Sequence, residues 1–395
     1  MGDTILLFES RDLCYESNRY FMECMADAFE QAGYPVEICD LSACMEEKLE
    51  AILKRREQFL AGFDFNSLLP RLELEDGTPY LTALGVPFYN YLVDHPLYHH
   101  IGIKNSFPGY SVICIDTCHQ SYVRKYYPHI GQVLYLPLGA MKADMERSFC
   151  QKRLELLFLG TYEPEENLYL ELSDYPDGQR REIAALIDMM GADHELTQEE
   201  ALMRYLKDQK QEISPEQFIR KMNADYLADK YLRNKRRKDA VSAAAKAGVS
   251  FTIIGQGWEL AKGLEGPHVQ IRQGIGFAAS VQMIANAKML LNVTPGFCGG
   301  MHDRVYSAMI NRTLCLTEKS GFSQKILLDK EEAVLYDSAK PHTLAEAVSS
   351  LQKQPERIEA ITQRAYQKAA ERHTWANRVS QIIKSLSCRT GYNLL

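Results

Sequence analysis

Residues 286–318 of this 395-residue chain hold the densest set of groups able to do chemistry. They read as an apolar strand, a glycine-rich loop, a helix and a second apolar strand. Gly296, Gly299 and Gly300 let the backbone approach a ligand closely. The helix expected from near His302 would present N–H groups and the positive end of its dipole, a site suited to a diphosphate. Arg304 in its first turn adds a fixed charge whose planar fork matches phosphate oxygens. Asp303 can cap the helix or accept hydrogen bonds from hydroxyl groups. In open parallel sheets ligands sit outside the carboxyl ends of the strands, where this loop falls.

A second set is Asp94-His95-Pro96, after the apolar strand Phe88–Val93. His95 has an intrinsic pKa suited to proton transfer near neutrality, and Asp94 could orient it or take the proton itself. The same residues also read as the N-cap of a helix starting at Pro96. His95 and His99 form a His-x-x-x-His pair without the carboxylate of H-E-x-x-H, so no metal site is expected. Asp116 and His119 end another strand and could line a cleft; a buried, satisfied histidine is the competing reading. Glu9, Ser10 and Arg11, after the first strand, are expected to line the same side.

The elements that must position these groups alternate short aliphatic runs with longer amphipathic stretches, which predicts βαβ units and parallel sheets. In the first half the strands expected are Thr4–Phe8, Val36–Cys39, Phe63–Leu69, Phe88–Val93, Val112–Ile115 and Val133–Leu136. A helix over Tyr15–Ala32 is stopped by Gly33 and Pro35. A second series comprises 154–160, Val249–Gly255, Val269–Ile271, Met289–Val293, Leu314–Thr317 and Val334–Tyr336. Between its first two strands lies a polar helical stretch, 163–248, in which Ser214-Pro-Glu-Gln217 marks a capped helix start. The basic run 233–238, flanked by Asp225, Asp229 and Asp239, reads as a solvated helix face. The fold class expected is α/β, with two Rossmann-like domains and a helical elaboration in the second. The boundaries are 1–152, 153–385 and a tail at 386–395.

Hydrophobic residues at 46% and charged residues at 25% fit a globular protein. The net charge of −7 gives no general attraction to nucleic acid or anionic lipid. No basic start precedes an apolar run, and no stretch is long enough to span a membrane, so a cytoplasmic location is expected. The ten cysteines are scattered without a CxxC pair, as reduced core thiols would be.

Asn292, His302-Asp303-Arg304-Val305-Tyr306, Ala308-Met309 and Leu316-Thr317-Glu318 together resemble the signature region of the glycosyltransferases related to the spore-maturation protein CgeB, a branch of the group 1 glycosyltransferases. Leu157-Phe-Leu-Gly160, Ile253-Ile-Gly-Gln-Gly-Trp258 and His373-Thr-Trp375 follow the same order, so the resemblance covers roughly 153–385. In the first half it rests on architecture and on Leu92-Val-Asp-His-Pro96. The resemblance implies the GT-B arrangement, two Rossmann-like domains facing across a cleft. It also implies a nucleotide-sugar donor, UDP-linked, on the second domain, and transfer of a hexosyl or N-acetylhexosaminyl group to an acceptor on the first.

The donor-binding set it implies is Gly255, Gly257, Trp258, Asn292, Thr294, Gly299, Gly300, His302, Asp303, Arg304, Ser307, Thr317 and Glu318. Trp258 would pack near the base or serve as a core residue. Ser307 departs from the family, which usually has a glutamate there for the ribose hydroxyls. The leaving diphosphate can be met by the 302 helix start and Arg304, and no DxD motif occurs, so neither metal nor cofactor is expected. A GT-B-shaped binding or assembly protein without transfer is the competing class. A dinucleotide oxidoreductase is disfavoured because Leu260 stands where G-x-G-x-x-G needs its last glycine.

Overall fold

The computed structural model describes residues 2–10, 13, 16–294 and 296–390, the side chains beyond 387 excepted. Arg11 therefore lies outside the described residues. By its own contacts the chain divides into two compact units, 1–139 with 371–395, and 140–370. The pattern of strands put the boundary at 152/153 and kept residues 371–385 with the second unit. The last helix instead packs on the first helix of unit one.

In the first unit the strands are β1 (Thr4–Glu9), β2 (Val36–Asp40), β3 (Phe59–Phe65), β4 (Phe88–Leu92), β5 (Tyr110–Cys114) and β6 (Gln132–Tyr135). The helices before the crossover to unit two are α1 (Ser17–Gln31), α2 (Met45–Lys54), α3 (Tyr80–Leu84), α4 (His100–Lys104) and α5 (Thr117–Tyr126). All strand pairs are parallel, in the order β2-β1-β3-β4-β5-β6. The inner strands are apolar on both faces because helices cover both sides. The third strand begins at Phe59, four residues before the expected Phe63, and ends at Phe65. The apolar run Phe59-Leu-Ala-Gly-Phe63 is buried throughout, whereas Asn66 turns the chain with a left-handed φ of 48°.

The second unit holds β7 (Leu154–Leu159), then α6 (Glu165–Leu172), α7 (Asp177–Ala192), α8 (Gln198–Asp208), α9 (Pro215–Ala224) and α10 (Leu227–Ala245). It continues with β8 (Phe251–Ile254), β9 (Val269–Arg272), α11 (Phe277–Ala285), β10 (Ala287–Leu291), α12 (Asp303–Ile310) and β11 (Leu314–Glu318). α13 (Ser323–Ile326), β12 (Val334–Tyr336) and α14 (His342–Gln352) complete it, and α15 (Pro355–Arg372) leads to α16 (Trp375–Thr390). Its six strands are also parallel, in the order β12-β11-β10-β7-β8-β9. The expected start of α9 is present: Ser214 Oγ accepts from Gln217 N, and Gln217 Oε1 accepts from Ser214 N.

The order in which strands are added switches sides between β7 and β10, so the crevice for a ligand opens past their carboxyl ends. The corresponding switch in the first unit lies between β1 and β3.

Two glycine positions show how tightly the loops are drawn. A Cβ on Gly257 would stand 2.0 Å from Tyr162 O, at a φ of 85° that only glycine adopts easily. A Cβ on Gly139 would stand 2.6 Å from Trp375, the residue that opens α16. Gly139→Ala and Gly257→Ala should each destabilise by about 1–3 kcal/mol, read as a lower Tm with or without nucleotide. An unchanged Tm would show that these loops relax freely.

Candidate functional site

α10 supplies what the sequence reading left out. Its basic run is not a uniformly solvated face. Lys238 pairs with Glu165 and Lys235 with Asp239, but Arg233, Arg236 and Arg237 turn toward the strand ends. Arg233 pairs with Asp229 one turn earlier, 2.9 Å away. Arg237 is half-buried and donates through Nη1 to Thr161 O, 3.0 Å away, just past the end of β7. Burial, and then the charges of Arg233 and Arg304, push its pKa down to about 9, with Asp229 and Glu318 working the other way. It remains a cation at neutral pH. Like charges held together where solvent only partly screens them store a repulsion that a bound anion relieves. Helical phase was the missing signal: 229, 233 and 237 fall on one face at i, i+4 spacing.

The loop after β10 faces this helix. A Cβ on Gly296 would lie 2.8 Å from Asp229 Oδ1, so the glycine permits the approach. Asn292 Nδ2 donates to Thr317 Oγ1 (3.0 Å), joining the ends of β10 and β11, and both residues are buried. Thr294 N donates to Glu318 Oε2 (2.7 Å), which fixes the loop's first residues. Burial raises the Glu318 carboxyl above its ordinary value, against the Thr294 hydrogen bonds and the charges of Arg236 and Arg237. Gly299 and Gly300 are buried, and Gly300, Thr294, Thr317 and Glu318 line one cavity with His194 and Arg236.

The start of α12 differs in detail from the expectation of open amides. His302 is its N-cap: Nδ1 lies 3.2 Å from the Arg304 amide and 2.6 Å from Asp303 Oδ1. Val305 N donates to His302 O. An anion here therefore meets the helix dipole and the Arg304 charge more than first-turn amides. Burial and the nearby Arg304 lower the His302 pKa. Burial would raise Asp303, but His302 and Arg304 together hold its carboxyl low.

Four of the expected donor residues are engaged by the structure itself. Trp258 is fully buried; it stacks on Tyr162 at 4.9 Å and donates from Nε1 to Gly160 O. It is a core residue and not a base platform. Gly255 and Gly257 are required by the backbone of Gly160 and Tyr162, which their Cβ atoms would meet at 2.0 Å. Ser307 Oγ accepts from Met141 N, 3.2 Å away, and Asn311 bonds Met141 O and Ala143 N beside it. At 1% exposure, position 307 pins the 140–143 segment to α12.

In the first unit the competing cap readings hold. His95 Nδ1 accepts from Leu97 N, and its ring lies edge-on to His119 (4.6 Å) and Tyr122 (4.8 Å). Asp116 Oδ1 accepts from Cys118 N and His119 N and caps α5. Asp94, by contrast, keeps an exposed carboxylate. Asn66, fully buried, accepts from Val93 N and donates to Asp94 Oδ2 at 2.7 Å. Beneath it Asp64 accepts from Ser10 Oγ, and burial lifts its carboxyl to about 7 despite hydrogen bonds from Ser10 and Ser67.

Burial holds His119 down at about 3 and His95 well below 6.5, aided for His95 by His119 and His99. Both rings should stay neutral from pH 6 to 8, and NMR titration of their C–H signals should show no midpoint there. A midpoint near ~6.5 for His95 would return it to the list of proton acceptors.

No curated protein sequence matches the chain. Its structure is similar to HepE of Anabaena in complex with UDP and glucose, at 11% identity over 98% of this chain and 100% of that one, with a TM-score of 0.55. It is similar to sucrose-phosphate synthase from Thermosynechococcus elongatus, at 10% identity, 98% and 100% coverage and a TM-score of 0.55. It is also similar to an α-glucosyltransferase in complex with UDP-glucose and DNA containing an abasic site, at 10% identity, 97% and 99% coverage and a TM-score of 0.58. These likenesses show the two-domain GT-B fold. Residues 233–384, from the basic face of α10 through the β10–α12 loop and into α16, match the family model described as glycosyl transferase-like.

Proposed function

We propose that this protein is a glycosyltransferase that takes a UDP-linked sugar as donor and binds its diphosphate beside Arg237, Arg304 and the start of α12. The observation that carries the reading is Arg237, half-buried beside Arg233 and Arg304 and held on Thr161 O past the end of β7. A nucleoside diphosphate adds negative charge among these arginines, beside that of Asp229 and Glu318, and the charge grows as the glycosyl bond breaks. The arginines and the helix dipole can carry that charge, so the reading includes neither a metal nor a cofactor. The matches support it from outside: the family model spans the same helix and loop, and HepE was solved with UDP and glucose. Kinship with the CgeB-related branch is part of the proposal, resting on Asp303-Arg304-Val305-Tyr306 and Thr317-Glu318.

In the first unit Asp94 is the proposed proton acceptor. Its carboxylate is exposed and oriented by Asn66, whereas the lone pair on His95 Nδ1 is spent on Leu97 N. The group transferred is proposed as hexosyl or N-acetylhexosaminyl. No helix among the described residues is long and apolar enough to cross a membrane. A location in the cytoplasm, where nucleotide sugars are made, fits the proposal.

A nucleotide-sugar-binding protein without transfer is the second reading, and one observation favours it. The usual ribose-binding glutamate is a serine at 307, and its hydroxyl is engaged by Met141 N. Release of UDP from UDP-sugars separates the two, since only the transferase turns donor over.

Arg304→Ala and Arg237→Gln should each weaken UDP binding by about 10–100-fold, the value of a charge-assisted hydrogen bond of roughly 1.5–3 kcal/mol. Calorimetry checks this, with the Tm of each variant as the control for folding. Wild-type affinity in both variants would move the diphosphate elsewhere. Asp94→Asn should lower turnover at least ~100-fold with UDP affinity nearly intact. Wild-type turnover would reduce Asp94 to a surface residue.

A further inference from the structure

The helices α6–α9 are inserted between β7 and α10, and the elbow joining α7 to α8 comes back to the donor pocket. Three contacts hold it there. His194 Nδ1 is 2.6 Å from Ser338 Oγ, beyond the end of β12. Gly321 N donates to Glu195 Oε1, and Arg236 Nη2 donates to Met190 O at 2.9 Å. Beneath the elbow is a cavity of about 280 Å³ lined by His194, Arg236, Asp239, Glu318, Tyr336 and Ser338. Four of these, His194, Arg236, Glu318 and Ser338, also line the space that reaches Thr294 and Gly300 on the β10–α12 loop.

The lining has the character of a site for a hydroxylated ring and not for a nucleobase. It mixes donors and acceptors: a guanidinium, an ammonium, an imidazole, a hydroxyl and two carboxyls. Its tyrosine, Tyr336, is buried and spends its hydroxyl on Asn292 O, and Phe297 lines the adjoining space. The Arg236 Nε–H is buried without an acceptor, a cost that a ligand oxygen would remove. Thr294 N already takes one oxygen of Glu318, so its other oxygen is the one a hydroxyl could reach.

We propose that the inserted elbow builds the sugar subsite, with His194 and Arg236 as the residues that select the donor's glycosyl group. This rests on the reading of the neighbouring loop as a nucleotide-sugar site. Arg236 gives its unpaired N–H to a sugar oxygen, and His194, held by Ser338, offers Nε2 to a ring hydroxyl. The insertion thus acts on which sugar is accepted, while Arg237 and Arg304 act on any nucleoside diphosphate.

Calorimetry with UDP, UDP-glucose, UDP-N-acetylglucosamine and UDP-glucuronate, on the full-length protein, tests this. Wild type should bind at least one of the UDP-sugars about fivefold or more tighter than UDP. His194→Ala and Arg236→Gln should each weaken that UDP-sugar about tenfold more than they weaken UDP. His194→Gln, which keeps a partner for Ser338, should still lose selectivity, and this separates recognition from latching the elbow. If all three variants weaken UDP and the UDP-sugar equally, or neither, the subsite is not here. If wild type binds UDP without preferring any of the sugars, the inference fails while the nucleotide site stands. If wild type binds no UDP at all, the nucleotide-site reading fails and the elbow proposal with it.

Discussion

The site in the second unit is organised around one electrostatic constraint, the half-buried Arg237 held beside other arginines just past the carboxyl end of β7. An arginine does not lose its proton under physiological conditions, so its charge must be met by dipoles, carboxylates or a ligand. Thr161 O, Asp229 and Glu318 meet part of it. The helix must therefore run with its amino-terminal half at the strand ends, and the glycine loop must come close enough for Gly296 to touch Asp229. Asn292, Thr317 and Glu318, which look like ligand-binding residues in sequence, are the ties that keep the loop there. Their service to the site is largely positional.

Much of the fold could be read before any coordinates. Aliphatic runs separated by amphipathic stretches announce parallel strands because each such strand is buried on both faces, and all twelve expected runs overlap observed strands. The β10–α12 loop was legible for a related reason. Three glycines, a capping residue and an arginine crowd into a few positions after a buried strand, and that order has few structural solutions. What stayed hidden depends on three-dimensional phase. In the sequence Arg233-Asn-Lys-Arg-Arg-Lys238 is a string of charge; only the helix, packed against the strand ends, divides it into a solvent half and a site half. Nor could the pattern show that α16 returns to the first unit, since Trp375 meets Gly139 only in space.

Several residues that short motifs single out are engaged in packing or capping. Trp258, Gly255 and Gly257 sit one loop from the crevice, and short motifs do not reveal on which side of a loop a residue faces. There the backbones of Gly160 and Tyr162 come so close that glycine and a buried indole are packing requirements. At 307 the serine has a local role: the position is closed, and its hydroxyl accepts from Met141 N. The paired histidine and aspartate of the first unit resolve in the same way, with His95 and Asp116 as caps and Asp94, on its Asn66 support, left open.

The claim that ties these observations together is that the arginine-lined strand ends of β7 and β10 receive a nucleoside diphosphate. Hydrogen–deuterium exchange with and without saturating UDP tests it most directly, because it reports where binding is felt along the whole chain. The account predicts slowed exchange at residues 160–162, in the first turns of α10 and across 292–306, with little change at the far ends of the same strands. Slowed exchange confined to other segments, or no change anywhere, would contradict it.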